Sequence, residues 1–348
     1  MTQEYQIPPG QRYASLMTDS SFKRAFVQWQ DGMLTKLLLR ELIPERTLKE
    51  IRFLPTEHTN PIPGMKDIVV DVECTDEEGA KYIVEMQLHY QAFFSERMVY
   101  YSAAALLEEL RKGGDGKDTA SFYDYPPVYV VALLNFSMHG NTDKVLFTYQ
   151  LLEKDLHDRM TDRLNFVYLE MPNYKGNLKG ASSVLQAFSY VMRNFPEMSE
   201  RPEGLKEDLF RVLFDSAEIS KFRPDERIKY VHDMTTERDI RNQILTARNQ
   251  GVEQGIQQGK EEDASNLLKL GVDIGVVSRA TGLSVEQISA LRAMPPDKVN
   301  NQSAFQLMNE TMVAYFRGRC PLLSPAASDG KLGLSGIFRP LRITSQGC

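Results

Sequence analysis

The chain reads as an α/β protein, a mixed sheet flanked by helices, followed by an α-helical C-terminal region. Three observations carry that expectation. Val69-Val70-Asp71-Val72-Glu73-Cys74-Thr75 and Lys81-Tyr82-Ile83-Val84-Glu85-Met86-Gln87 are two segments rich in β-branched and aromatic residues, joined by Asp76-Glu77-Glu78-Gly79, which is a hairpin pattern. Val128-Tyr129-Val130-Val131-Ala132-Leu133-Leu134 is a continuous apolar run of the kind that a central strand needs, because both of its faces are covered. From about Ala181 the strand patterns stop and helical ones take over.

Each element has a local cause. After a polar start, Asp19 or a neighbouring serine is placed to cap a helix whose Phe22, Phe26 and Trp29 recur at helical spacing. Met33 to Ile43 is leucine-rich and stops at Pro44, since proline cannot continue a helix. Leu48 to Leu54 is a candidate strand ahead of the proline-punctuated loop from Pro55 to Gly64. Beyond the hairpin, Phe93 to Leu110 form a helix with Arg97 one turn from Tyr100 and Tyr101, and Lys112 to Lys117 form a glycine-rich loop. Val145 to Tyr149 and Leu164 to Met171 are further strands, and Ser183 to Phe195 and Gly204 to Phe214 further helices.

The hairpin fixes which side chains meet. In the three-residue loop class, a type I turn ends in a left-handed glycine that forms a bulge and shifts the pairing by one residue; Gly79 is placed for that. With the shift, Asp71 falls opposite Glu85, and Gln87 joins them two residues along on the same face. The other face then carries Ile68, Val70, Val72, Cys74, Tyr82, Val84 and Met86, all apolar as a core demands. Without the bulge Asp71 would face Val84, and the two acids could not share a face.

Two carboxylates on neighbouring strands repel each other unless a cation lies between them, and a hard oxygen site with few protein ligands suits magnesium. Such a site serves phosphodiester hydrolysis, in which charge builds on the phosphoryl and leaving oxygens. Gln87 would orient the attacking water, but it brings no positive charge. On the pattern alone a hairpin bearing acids is more often structural. Edge solvation is the ordinary fate of Glu73, ahead of a third ligand position. Asp19 reads as an N-cap, Lys23 as a solvated helix residue and His89 as a surface histidine.

The segments around the hairpin point further. Asp71, thirteen intervening residues, then Glu85-Met86-Gln87 resembles the D…(D/E)xK core of the PD-(D/E)XK nucleases, in the variant with glutamine in place of lysine. Thr18-Asp19-Ser20-Ser21-Phe22-Lys23-Arg24-Ala25-Phe26 resembles the N-terminal helix of the recombination-promoting nuclease family, whose members are often labelled transposases. Arg97-Met98-Val99-Tyr100-Tyr101 resembles that family's helix after the ExQ strand, and Ala280-Thr281-Gly282-Leu283-Ser284 a tail found in many members. These matches run in the expected order over roughly residues 13 to 293. The resemblance implies a restriction-endonuclease-like core and a metal-dependent DNA endonuclease tied to recombination, mobile elements or defence. It also implies Mg2+ on Asp71 and Glu85, with Gln87 as the third catalytic residue. Arg97 itself reads first as a guanidinium stacked on an aromatic ring across the core, and a phosphate contact is the lesser reading for Arg97 and for Lys23. The rival is a catalytically degenerate module that binds DNA or protein through its helical C-terminus.

Bulk properties narrow the field. At 348 residues, 42% hydrophobic and 25% charged, the chain has room for one sizeable core and an appended module. A net charge of −6 argues against a broad polybasic surface, so any DNA contact must use a local basic patch. Three scattered cysteines make neither a disulfide framework nor a zinc site, which suits a reducing cytoplasm. No signal peptide is readable at Met1-Thr2-Gln3-Glu4-Tyr5, and no apolar run is long enough to span a bilayer.

The expected organisation is a nuclease-like core over 1–180, a helical extension packing on it over 181–234, a helical arm with a helix-turn-helix-like cap over 235–296, and an atypical, mobile tail over 297–348. Gly251, Gly255 and Gly259 recur every fourth residue in the arm, each costing about 1 kcal/mol against alanine. A poorly packed arm explains them, or close pairing between two subunits in a homo-oligomer. Asn266 to Arg292 reads as helix-turn-helix, with Val276, Val277 and Ala280 on one face and Val285, Ile288 and Leu291 continuing it. Glutamate, glutamine and serine on its second helix favour a compact cap over DNA recognition.

Overall fold

The computed structural model describes residues 6–58, 67–113, 124–140 and 142–293. The chain divides into two compact units, Met1–Thr246 and Ala247–Cys348. The expected tail at 297–348 lies outside the described residues.

Among the described residues the first unit has eight strands: β1 (Ile51–Phe53), β2 (Glu57–His58), β3 (Ile68–Val69), β4 (Val72–Asp76), β5 (Lys81–Gln87), β6 (Val128–Leu134), β7 (Leu146–Gln150) and β8 (Leu164–Glu170). Six of them form one sheet in the order β1-β4-β5-β6-β8-β7, and β2 pairs with β3 separately. β5, β6 and β8 run parallel, while β1, β4 and β7 join antiparallel, so the sheet is mixed as expected. Parallel neighbours need a long crossover, and the helix at Phe94–Gly113 lies between β5 and β6 in the chain.

Alternation along the strands divides the core in two. Val72, Cys74, Tyr82, Val84, Val131 and Leu133 point to one side with α2 (Met33–Leu42), α4 (Val184–Asn194) and α5 (Asp208–Ala217). Ile83, Val130, Ala132, Leu134 and Tyr168 point to the other, where Phe94 and Met98 of α3 (Phe94–Gly113) cover them. α1 (Asp19–Lys23) continues into a π-turn at Arg24–Gln28 and a tight turn at Trp29–Gly32, so Phe22 to Trp29 is not the single regular helix that its spacing suggested. Gly32 starts α2 at φ +72°, and a Cβ there would collide with the Phe53 ring.

The hairpin has the expected register: Val72 faces Val84, Glu73 faces Ile83 and Cys74 faces Tyr82. Gly79 takes φ +84°, and Asp76 Oδ1 accepts from Glu78 N at 3.0 Å and Ala80 N at 2.9 Å, closing the turn. One expectation fails. The first segment is not one strand but two, β3 and β4, broken at Val70-Asp71. Side-chain bonds at Asp71 interrupt the ladder, and the break swaps the faces: Ile68 and Val70 join Ile83 beneath α3, away from Val72 and Cys74.

Glu73 is a second correction. It is 2% exposed, not solvated at an edge, and its Oε1 lies 3.0 Å from Lys81 Nζ. Lys81 is itself fully buried and also reaches Glu108 Oε2 at 2.8 Å and Glu109 Oε1 at 3.1 Å on α3. Burial pushes the Lys81 ammonium toward neutrality, but Glu108 and Glu73 more than offset this and hold it charged. Asp19 is a third: it sits in the first turn of α1 behind Thr18, and pairs with Lys23 Nζ at 2.9 Å, so Lys23 is engaged as well.

α6 (Pro224–Lys269) runs for 46 residues. In the second unit its end packs with α7 (Ile274–Thr281) and α8 (Val285–Ala293) around Ala264, Val277, Leu283 and Ile288. Asp273 Oδ1 caps α7 by accepting from Gly275 N at 2.9 Å, and Gly282 ends it at φ +72°. Val276 is exposed, so the inward face of α7 is narrower than its sequence suggested.

Candidate active site

Asp71 stands at the break where β4 begins, and Glu85 near the end of β5. The backbone N–H of Asp71 donates to Glu85 Oε1 at 3.0 Å, and Asp71 Oδ2 accepts from Met86 N at 2.8 Å. Each acid is therefore fixed by the two-strand frame, and these bonds replace the ladder lost at the break. Gln87 Nε2 turns toward Glu85 Oε2 at 3.3 Å. The structure brings Asp71, Glu85 and Gln87 together on one face, as the register argument requires.

The electrostatics are those of two carboxyls brought close together with little solvent. Burial holds the Asp71 carboxyl above its ordinary value, and the Met86 N–H acts against this. Glu85, 4% exposed, is pushed up to about 8, first by burial and then by the charge of Asp71, with the Asp71 N–H, Arg97 and Gln87 opposing. A carboxyl in that state either takes a proton or waits for a cation.

Two cations flank the pair. Burial disfavours the charge on Lys23, but Asp19, Asp71 and Asp233 together raise its pKa. Arg97, at the start of α3, acts on both Asp71 and Glu85. Its guanidinium lies 5.7 Å from the Phe94 ring centroid and 5.9 Å from that of Tyr101, and its Nη1 donates to Gln91 Oε1 at 2.6 Å. Nε and Nη2 are shielded from solvent and have no hydrogen-bond partner among the described residues. Two sheltered guanidinium N–H groups without a protein acceptor are costly unless water or an anion meets them.

Sequence reasoning missed the contribution of α6. His89 Nε2 lies 2.7 Å from Glu237 Oε1, so His89 is a packing contact and not a free surface residue. Ser20 N donates to Asp233 Oδ2 at 2.8 Å. These partners are 148 and 213 residues apart in the chain, beyond the reach of any local pattern.

The donor set fits a hard divalent cation in one respect: the half-buried Asp71 and the buried Glu85 carboxyls repel each other, and Asp71 Oδ1 makes no hydrogen bond among the described residues. No group of three or more His, Cys, Asp and Glu side chains able to hold a metal occurs among the described residues. The protein would thus supply a pair of carboxylates and leave the remaining positions to water and phosphate, as magnesium sites commonly do.

Among known proteins, the family model described as PD-(D/E)XK nuclease family transposase matches residues 16–247. No curated protein and no solved structure matches the chain. Among the described residues no helix is long and apolar enough to cross a membrane.

Proposed function

This chain belongs to the PD-(D/E)XK nuclease family transposases, and on that premise we propose that it is a Mg2+-dependent DNA endonuclease whose metal is held by Asp71 and Glu85. Members of that nuclease superfamily generally use divalent ions. The observation that carries the proposal is the meeting of half-buried Asp71 with buried Glu85, joined by Asp71 N–H to Glu85 Oε1, with Arg97 acting on both carboxyls and Lys23 on Asp71. A divalent ion bound there supplies the positive charge that a phosphoryl group needs as its ester bond breaks. The protein's own groups do the rest. Met86 N and Asp71 N fix the carboxylates, so that no reorganisation is needed as charge develops. Gln87, steadied by Glu85, offers its amide to the attacking water. Arg97, with two N–H groups free of protein acceptors, and Lys23 would bind phosphate oxygens. We place the cleavage in recombination, mobile-element or defence functions on the family description, and expect a cytoplasmic protein.

Binding in chelator isolates the phosphate contacts from the chemistry. Arg97→Ala and Lys23→Ala are each expected to weaken DNA binding and to lower the slope of log affinity against log salt by about 1. An unchanged slope in fluorescence anisotropy would remove both residues from the interface.

We further propose that the arm pairs with a second copy of this chain. A Cβ at Gly251, Gly255 or Gly259 would meet nothing within 4 Å, and Val252 and Ile256 beside them are exposed. An antiparallel pairing about Gly255 would set Gly251 against Gly259 and bring Arg248 opposite Glu262, of opposite charge. Light scattering is expected to report the mass of two chains, and of one chain for Gly255→Leu. A wild-type monomer at micromolar concentration contradicts it.

A further inference from the structure

Between Gln87 and α3, the chain presents a residue that breaks two local rules at once. Phe93 occupies the N-cap position of α3, because its carbonyl accepts from Arg97 N at 3.0 Å. That position favours Ser, Thr, Asp or Asn, whose side chains bind the free helix N–H groups, and phenylalanine offers them nothing. Phe93 also has φ +62°, a conformation that costs an L-residue with a bulky side chain about 1–2 kcal/mol. Among the described residues the other non-glycine positions at positive φ are Gln30, Asp31 and His157. Phe93 is 75% exposed, so it gains little burial in return, and it has no ring partner among the described residues. A strained, exposed aromatic without a structural gain is the mark of a functional position.

Its neighbours say what the ring would meet. The Phe93 carbonyl accepts from Arg97 N at 3.0 Å, so the two residues are joined through the first turn of α3. Gln91, on the same loop, holds Arg97 Nη1 at 2.6 Å, while Nε and Nη2 stay without an acceptor among the described residues. Tyr90, also exposed, meets Phe136 edge-on with centroids 5.4 Å apart, which braces the loop from the other side. A phosphate on Arg97 would thus bring its nucleotide to the loop that exposes Phe93.

We propose that Phe93 is a stacking platform for an unpaired nucleobase, so that the site selects DNA with a nucleotide out of the helical stack. The proposal rests on the nuclease reading of the Asp71–Glu85 site. In intact duplex both faces of a base are already covered, so only an unpaired, bulged or terminal base can use the ring.

The test uses the full chain and two duplexes of one sequence: one fully paired, the other with a single bulged 2-aminopurine. In chelator, wild type is expected to quench the bulged base and to bind that duplex about 10- to 100-fold more tightly than the paired one. Phe93→Trp keeps both effects, whereas Phe93→Ala and Phe93→Gly lose them. Phe93→Gly also relieves the backbone strain, so its Tm should be at least that of wild type; a lower Tm would make Phe93 a structural residue and overturn the proposal. Equal binding of the two duplexes by wild type overturns it too. Quenching and preference retained in Phe93→Ala would do the same and assign the ring to a protein contact. Cleavage is read separately with Mg2+ added, and wild type that cuts neither duplex refutes the nuclease reading, whereas the stacking result stands or falls on the chelator measurements.

Discussion

Glu85→Ala and Asp71→Ala are each expected to lower metal-dependent DNA cleavage by roughly three orders of magnitude or more, because several kcal/mol of charge stabilisation at the phosphoryl group goes with either ligand. The fold should survive, and its stability should move in the opposite direction from activity. Glu85 has its folded pKa raised to about 8 from an ordinary 4.5. Folding therefore favours the protonated carboxyl and penalises the ionised one. Below about pH 4.5 neither state is ionised and there is no penalty; the penalty grows as pH rises through that value and is complete above about 8. Near-isosteric Glu85→Gln removes it. In chelator at pH 8, thermal melting of Glu85→Gln is expected to lie above wild type, each kcal/mol being worth about 2–4 °C in a unit of this size. The gap should close near pH 4.5. A structural acid would behave otherwise, and a Glu85→Gln protein less stable than wild type at pH 8 would refute the description of this pair as strained.

Lys81→Met is expected to cost about 3–5 kcal/mol in urea unfolding, since it removes the cation against which Glu73 is buried. Glu73→Gln should cost less, because Glu108 and Glu109 still hold Lys81 at 2.8 and 3.1 Å. The double replacement Glu73→Leu with Lys81→Met should recover much of the loss, as apolar residues tolerate the interior that an isolated charge does not. Cleavage per folded molecule should be unchanged in all three. Asp71 and Glu73 stand two residues apart on one strand segment, and the account gives them opposite fates, chemistry for the first and stability for the second. Lys81→Met that unfolds like wild type would undo that division.

The hairpin shows how much of this was legible in the chain. Alternation and the position of Gly79 fixed the pairing of β4 with β5, and with it the meeting of Asp71 and Glu85. The uninterrupted run of β6 announced a strand covered on both faces, and Asp273 and Gly282 marked the ends of α7. What stayed hidden depends on contacts far along the chain. The break at Asp71 arises because Met86 N and Glu85 Oε1 bind it more locally than a ladder would, and alternation alone cannot register that Ile68 and Val70 change sides there. Glu73 looked solvated because its partner's other acids, Glu108 and Glu109, come from a helix that follows both strands. Glu237 and Asp233, which fasten α6 to the neighbourhood of the site, carry no spacing that points to His89 or Ser20.

Phe93 was legible as a helix start and nothing more. Its backbone strain and exposure emerge only once the chain is folded, because neither φ nor solvent access is written in residue type. The same holds for Arg97. Its place on a helix one turn from two tyrosines was plain, whereas its two guanidinium N–H groups without an acceptor among the described residues are a property of packing.

The central claim is that Asp71 and Glu85 hold a divalent ion that breaks phosphodiester bonds. The most direct measurement follows supercoiled plasmid with purified wild type and folded Glu85→Ala, each with Mg2+ and with chelator. Nicked or linear DNA should appear only with wild type and Mg2+. Cutting by wild type in chelator, or equal cutting by Glu85→Ala, would contradict the account.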